Sequence, residues 1–385
     1  MRKEARILIT AGLCAALLFG VSACGNKEEK VEVEPISTES APTETTIGAE
    51  GTIAPASEGP KATPSPEETE EPTPIEQSTE QPTEQPTEQP TEQPTEQPTP
   101  APTRAPKEGD LKGVNFPDYD TGADADWSYQ SDELRIAIRR CEDEDEDIPL
   151  VYFVADVWIR NINSFRMGFG HGKFNSGREE PESFATREHA ILAVNGTMNS
   201  GLVVHNGEQV KKNVENSSIA YRSGIFVIYR DGSVKTINRK KNQTYNYKEE
   251  NAKHGGVWHA IQFGPILVQG GTIPSGLKKN ERQPRTILGY MEPGHYILVA
   301  VDGRTKTSIG MSEKEMAELM LSLGCTEAMN LDGGFSTSML FMGETINTRA
   351  GSDRKVNDML LFAEYDADGN APALSEVTPD KILGE

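Results

Sequence analysis

The chain has 385 residues and a formal charge of −22, from 38 Lys plus Arg against 60 Asp plus Glu. An acidic chain with no clustered Lys/Arg stripe is not built to displace counterions from a polyanion, so a nucleic-acid partner is excluded from the expectations. Length alone suggests two or three domains, but composition removes one of them. Between Asn26 and Gly109 fall 16 of the 25 prolines, 19 acidic and 5 basic residues, and no Phe, Tyr or Trp. Such a segment cannot bury enough apolar surface to offset its chain entropy.

Met1 to Ala23 has the layout of an export signal. Arg2, Lys3 and Arg6 form a positive start, and Ile7 to Ala23 carries no charge. That run is short for a membrane span of about 20 apolar residues. It ends in Val21-Ser22-Ala23-Cys24, which resembles a bacterial lipobox. Residues 1–23 are therefore expected to be a lipoprotein signal peptide, with Cys24 the lipidated residue. The expected location is the extracytoplasmic face of the cell membrane, held there by more than one acyl chain. Residues 24–109 are expected to be a disordered Pro/Thr/Glu-rich tether. Within it Thr79 to Pro98 is five Thr-Glu-Gln-Pro units. Fully extended, the tether would reach about 260 Å, and as a flexible coil about 50 Å. Residues 110–385 form the folded part, with all three tryptophans. Cys141 and Cys325 remain there, and nothing in their spacing says whether they are bridged.

The folded part is expected to be α+β: a strand-rich mixed sheet core with a few helices. Leu134 to Ile138 and Val151 to Ile159 flank an acidic stretch, Glu142 to Asp147, and read as a hairpin. Ala190 to Val194, Ile225 to Tyr229, Ala260 to Phe263 and Ile266 to Val268 are further strand candidates. So are Arg285 to Leu288, Tyr296 to Val301, Met339 to Phe341 and Met359 to Phe362. One helix is well signalled. Ser312 with Glu315 is a capping box, Met316, Leu319, Met320 and Leu323 mark one face, and Gly324 follows as a helix stop. A weaker helix runs from Glu182 to His189, opened by Pro181. Strands and helices do not alternate, which argues against a doubly wound sheet.

Four polar clusters follow apolar strand runs. They are Asn195-Gly196-Thr197; Gly264-Pro265 with Arg285-Thr286; Asp302-Gly303-Arg304; and Asn330-Leu331-Asp332-Gly333-Gly334-Phe335-Ser336-Thr337. A charged residue at the end of a buried strand, beside glycine, is held rigidly yet open to a ligand. Taken singly each is weak, since Asp-Gly is most often a turn. Their combination in this order, with the capped helix between the third and the fourth, is more specific.

In that combination residues from about Ser131 to Ala363 resemble the phosphodiester glycosidase domain. Arg285-Thr286, Val301-Asp302-Gly303-Arg304, Gly310-Met311-Ser312, Leu323-Gly324-Cys325 and Asn330-Leu331-Asp332-Gly333-Gly334 carry the resemblance. Asn195-Gly196, Gly264-Pro265, Asn347 and Arg354 also sit where the family pattern has such residues. Two positions depart from it. Phe335 stands where the family often has a third glycine, and Thr197-Met198-Asn199 stand where aromatics often follow the first Asn-Gly.

The resemblance implies hydrolysis of a sugar-1-phosphodiester at the anomeric carbon, without a cofactor. Arg285 and Arg304 are then the candidate phosphate clamps, because a guanidinium fork matches phosphate oxygens. Backbone N–H groups of Gly333 and Gly334, with the Ser336 and Thr337 hydroxyls, would complete an anion nest. Asp332 and Asp302 are the expected catalytic carboxylates, one as nucleophile or stabiliser and the other as base for water. Asn195 would hydrogen-bond a sugar hydroxyl. No metal is expected, since no His-x-x-x-His or CxxC spacing occurs. The expected partners are a sugar-phosphate glycopolymer of wall or capsule, and the membrane through the lipid. Two rivals stay open: a non-catalytic wall-glycan binder, which Phe335 favours, and a metal phosphodiesterase cutting P–O. A serine hydrolase using Ser336 lacks the Gly-x-Ser-x-Gly elbow.

Overall fold

The computed structural model describes residues 105–117, 120–143, 147–199, 201–212, 224–238, 245–351, 354–365 and 371–376. The expected export signal, the expected lipidation site Cys24 and the expected tether up to residue 104 lie outside the described residues. Residues 105–109 run along the domain: Lys107 Nζ pairs with Glu133 at 2.7 Å, and Asn161 Nδ2 donates to the Glu108 carbonyl at 2.8 Å. None of the helices among the described residues is long and apolar enough to cross a membrane.

In chain order the first strands are β1 (Trp127–Gln130), β2 (Leu134–Asp143), β3 (Leu150–Ile159), β4 (Phe165–Phe169), β5 (Leu192–Asn195), β6 (Val203–His205), β7 (Glu208–Lys211), β8 (Gly224–Tyr229) and β9 (Val234–Asn238). They are followed by β10 (Val257–Phe263), β11 (Ile266–Val268), β12 (Arg285–Glu292), β13 (His295–Val301), β14 (Glu327–Asn330), β15 (Met339–Phe341), β16 (Glu344–Thr345) and β17 (Asp358–Phe362). Three sheets result, ordered β1-β2-β3-β13-β12-β14-β11, β7-β6-β10-β8-β9 and β16-β15-β5-β17-β4. The helices are α1 (Pro181–Arg187), α2 (Tyr247–Glu250) and α3 (Glu313–Ser322). The domain is mostly β. Every strand pairing among the described residues is antiparallel, which corrects the expectation of mixed sheets.

The expected hairpin is present and longer than its apolar runs, in register from Leu134 opposite Ile159 to Asp143 opposite Leu150. Strands β12 and β13 carry apolar residues on both faces because both faces of their sheet are covered. Alternate residues point to opposite sides. Leu288, Tyr296 and Leu298 join a core shared with Phe165, Val194, Leu360 and Phe362 of the third sheet, while Ile287, Ile297 and Val299 pack under α3. Phe165 is the hub of the first core, edge-on to Tyr296 at 4.9 Å and 4.6 Å from Phe362 between ring centroids. Each such fully buried side chain contributes about 1.5–3 kcal/mol relative to exposure.

Helix α3 forms as its signals require. The Ser312 hydroxyl accepts from Glu315 N while the Glu315 carboxylate accepts from Ser312 N, so both halves of the capping box are made. Met316, Leu319 and Met320 are buried on the sheet. Cys141 and Cys325 are both buried, and no disulfide joins them.

Candidate active site

The ends of β5 and β14 and the starts of β12 and β17 converge at one edge of the domain. The joint between the first and third sheets is made there by Asn195, the last residue of β5. Its Oδ1 accepts from Thr286 Oγ1 at 2.6 Å and from Ser338 N at 3.1 Å, and its Nδ2 donates to the Asp332 carbonyl at 2.6 Å. With 1% exposure the amide has no surface left for a sugar hydroxyl, so the expected ligand contact is corrected to a structural bracket. Its position follows from register: Asn195 faces Met359 across the β5–β17 pair, and Thr286 lies one residue into β12.

The bracket aims the loop that leaves β14. Leu331 N donates to the Thr286 carbonyl at 2.8 Å, Asp332 N to the Gly196 carbonyl at 3.1 Å, and Gly334 N to the Pro284 carbonyl at 2.9 Å. Gly333 is required here, because a Cβ would stand 2.6 Å from the Pro284 oxygen. The Gly334 N–H is thereby engaged within the protein, so the expected two-glycine anion nest is not formed as read. Thr337 is buried at 1% exposure with Oγ1 lacking a partner, and it does not line the cleft.

In front of this loop lies a cleft of about 490 Å³, lined by Asp332, Gly333, Gly334, Phe335 and Ser336 together with Arg285, Arg304 and Arg354. Arg285 is 9% exposed, and its guanidinium is fixed from behind by the Met311 and Glu281 carbonyls at 3.1 and 3.0 Å. Burial lowers its pKa from the usual value. Arg304 leans over the Phe335 ring, 4.8 Å from the centroid, and Phe335 stays 49% exposed at the lip. Arg304 and Met198 line the wall with left-handed backbone (φ +60° and +61°), which costs energy for non-glycine residues and clusters at functional sites. Across the cleft Lys278 pairs with Glu281 at 2.9 Å, and its N–H donates to Glu313 at 2.9 Å.

Asp302 is not in this cleft. It is 2% exposed and accepts from Asn347 Nδ2 at 3.2 Å and from Thr348 N at 3.0 and 3.2 Å. Burial raises its pKa, against the pull of those donors. The residue pins the chain after β16 to the end of β13, and its expected catalytic role is corrected to that one. Of the two aspartates and two arginines expected to converge, Asp332, Arg285 and Arg304 do.

Two residues outside the expected site set line it as well. Arg354 borders both the cleft and a small chamber behind Asp332, and its Nε is buried without a partner. Asp358 opens β17 and borders the same chamber with Asp332, Ser336 and Arg178. It is 1% exposed, and its Oδ2 accepts from Thr197 N at 2.9 Å and Thr197 Oγ1 at 3.1 Å. Gly196 allows this approach, since a Cβ there would stand 2.5 Å from that oxygen. Burial first, and the Asp332 charge in addition, push the Asp358 pKa up to about 6. Among the described residues no cluster of three or more His, Cys, Asp or Glu is arranged to hold a metal ion.

Comparison with known proteins gives the following similarities. A Bacillus subtilis (strain 168) protein, the SPbeta prophage-derived uncharacterized protein YomE, is 28% identical over 203 residues, or 50% of this chain and 31% of that protein. The chain thus spans about a third of the length of this curated relative. Among solved structures, the zebrafish N-acetylglucosamine-1-phosphodiester alpha-N-acetylglucosaminidase catalytic domain, auto-inhibited by its pro-peptide, is 18% identical with a TM-score of 0.48, over 61% of this chain and 85% of that one. A hypothetical protein from Synechocystis is 15% identical with a TM-score of 0.42, over 60% of this chain and 62% of that one. Residues 183–363, which carry the Asn195 bracket, the Asp332 loop and the arginine-lined cleft, match the family model of the phosphodiester glycosidases.

Proposed function

We propose that this protein is an extracytoplasmic hydrolase that cleaves the sugar C1–O bond of sugar-1-phosphodiesters in wall or capsular glycopolymers. The observation that carries the reading is the Asp332 carboxylate, set on a glycine turn inside a cleft walled by Arg285, Arg304 and Arg354. The leaving group of such a reaction is a phosphomonoester, already a weak base. It needs charge stabilisation more than a strong acid, and fixed guanidinium groups supply that. At the sugar, positive charge develops on the anomeric carbon, and Asp332 is the group positioned to stabilise it, either by direct attack or through a water. The C1–O bond breaks with its electron pair going to the phosphate oxygen, and water supplies the new hydroxyl at C1. Arg285 is fixed before substrate arrives, so little reorganisation is needed at the moment of reaction. Export and lipidation at Cys24 would put the domain at the outer face of the membrane, on a tether long enough to scan the wall.

The test is incubation of the soluble domain with an N-acetylglucosamine-1-phosphodiester and, separately, an aryl phosphodiester. Free sugar and a phosphomonoester from the first compound are expected. Turnover of the aryl compound alone would overturn C–O cleavage and favour the P–O reading. A second reading, a non-catalytic glycan binder, is favoured by the exposed Phe335 ring beside Arg304, since an aromatic face at a cleft lip suits a pyranose ring. Saturable glycan binding without turnover of either compound would establish it.

A further inference from the structure

Asp332 has a neighbour that the proposed reaction has not yet used. Asp358 is a wholly buried carboxylic acid with divided surroundings: Oδ2 accepts from Thr197 N and Oγ1, whereas Oδ1 is buried with no partner. The chamber it borders measures about 10 Å³, the space of one water molecule. Asp332, Ser336 and Arg354 line both this chamber and the cleft, so the chamber lies directly behind the residue facing substrate. A buried polar oxygen without a partner costs about 1–3 kcal/mol unless a water or a proton relieves it.

We propose that Asp358 is a positioning residue for Asp332, sharing one proton with it across that chamber, so that the two carboxyls carry a single negative charge between them. The inference rests on Asp332 acting at the cleft. Two carboxylates bordering one chamber, the one half-buried and the other wholly buried, do not both ionise readily, and the proton belongs to the pair rather than to either member. The other charged groups around Asp358 are few. Arg178, Arg354 and Lys355 line the chamber. Arg178 Nε is engaged by Asn357 Oδ1 at 3.2 Å, and Lys355 is drawn outward to Glu180 at 3.3 Å. Strand β5 brings no ionisable side chain, and β4 brings Arg166, which faces Leu361 rather than Asp358. Glu179, beside Arg178, is neutralised by Arg187 at 2.7 Å. Arg354 is thus the cation best placed to favour the charged form of Asp332. Asp358, held at its back by Thr197, keeps the proton in reserve for the step in which water or the sugar oxygen exchanges one.

The experiment compares the parent with Asp358→Asn, an isostere that keeps an acceptor for Thr197 and cannot ionise. The first readout needs no activity. A carboxyl whose folded pKa lies above its unfolded value weakens the fold when charged, so the parent's melting temperature should rise as pH falls from 7.5 towards 5. In Asp358→Asn that rise should be lost. The second readout is the pH profile of kcat/KM, whose acid limb should move up by about one pH unit once the shared proton that stabilises the Asp332 anion is gone. Should Asp358→Asn fail to fold, Thr197→Ala removes one donor to Oδ2 and should move the parent's stability step to higher pH. Equal pH dependence of stability in parent and variant, or a fall in kcat with an unmoved acid limb, overturns the proposal. The stability difference without turnover in either protein keeps the carboxyl pair and overturns the hydrolase reading instead.

Discussion

Asp302 and Asp358 occupy matching places in the two sheets that meet at the cleft. Each lies at the end of a buried strand, each has a pKa raised chiefly by burial, and each is within a few residues of an arginine that lines the site. Their surroundings differ in one respect. Both oxygens of Asp302 accept hydrogen bonds from Asn347 and Thr348, and the residue borders no cavity lined by the site residues. Asp358 keeps one oxygen without a partner and borders a chamber that Asp332 also lines. A carboxylate with all its acceptors engaged is part of the framework. One with capacity left over, beside a second carboxylate, is part of the chemistry.

The largest effect that bears on this contrast is expected at the carboxylate facing the cleft. Asp332→Asn should lower kcat/KM by about 10²–10⁴-fold, with circular dichroism and melting temperature close to the parent. Near-normal turnover would leave neither aspartate with a partner in catalysis. Next is the bracket. Asn195→Ala leaves the Thr286 hydroxyl, Ser338 N–H and Asp332 carbonyl without their shared partner, and should cost about 2–4 kcal/mol in urea unfolding, with kcat falling alongside. Asp302→Ala should cost about 1–3 kcal/mol by the same measurement, yet leave the acid limb of the pH profile where it is in the parent. A shifted limb would erase the distinction from Asp358. The smallest effect is expected at the lip. Phe335→Gly restores the residue type the family pattern suggests, and should change KM by about threefold to tenfold while leaving the melting temperature unmoved, since the ring is half exposed.

The local signals in the sequence carried most of the fold. The capping box at Ser312, the apolar face of α3 and the alternating runs of β2 and β3 are contained within a few residues each, and all were readable. The sheets were not, because antiparallel partners such as β5 and β17 lie more than 150 residues apart and share no local motif. The same distance hid Asp358. It sits in Val356-Asn357-Asp358-Met359, at the head of an apolar run and with no glycine beside it, and acquires meaning only once Thr197 is brought beside it. Asp302 misled for the opposite reason: Asp-Gly-Arg after a strand has the look of a site, whereas its side chain turns inward to Asn347. Arg354 was readable in the family pattern, but nothing nearby in the chain indicated that it borders the Asp332 chamber.

Asn195 ties Thr286 of the first sheet to Ser338 and Asp332 beside the third through one side chain. The cavity walls on either side therefore belong to separate layers whose relative placement that amide enforces. Warming should consequently abolish hydrolysis and tertiary order in a single transition, with no temperature interval in which an intact but inactive globule accumulates.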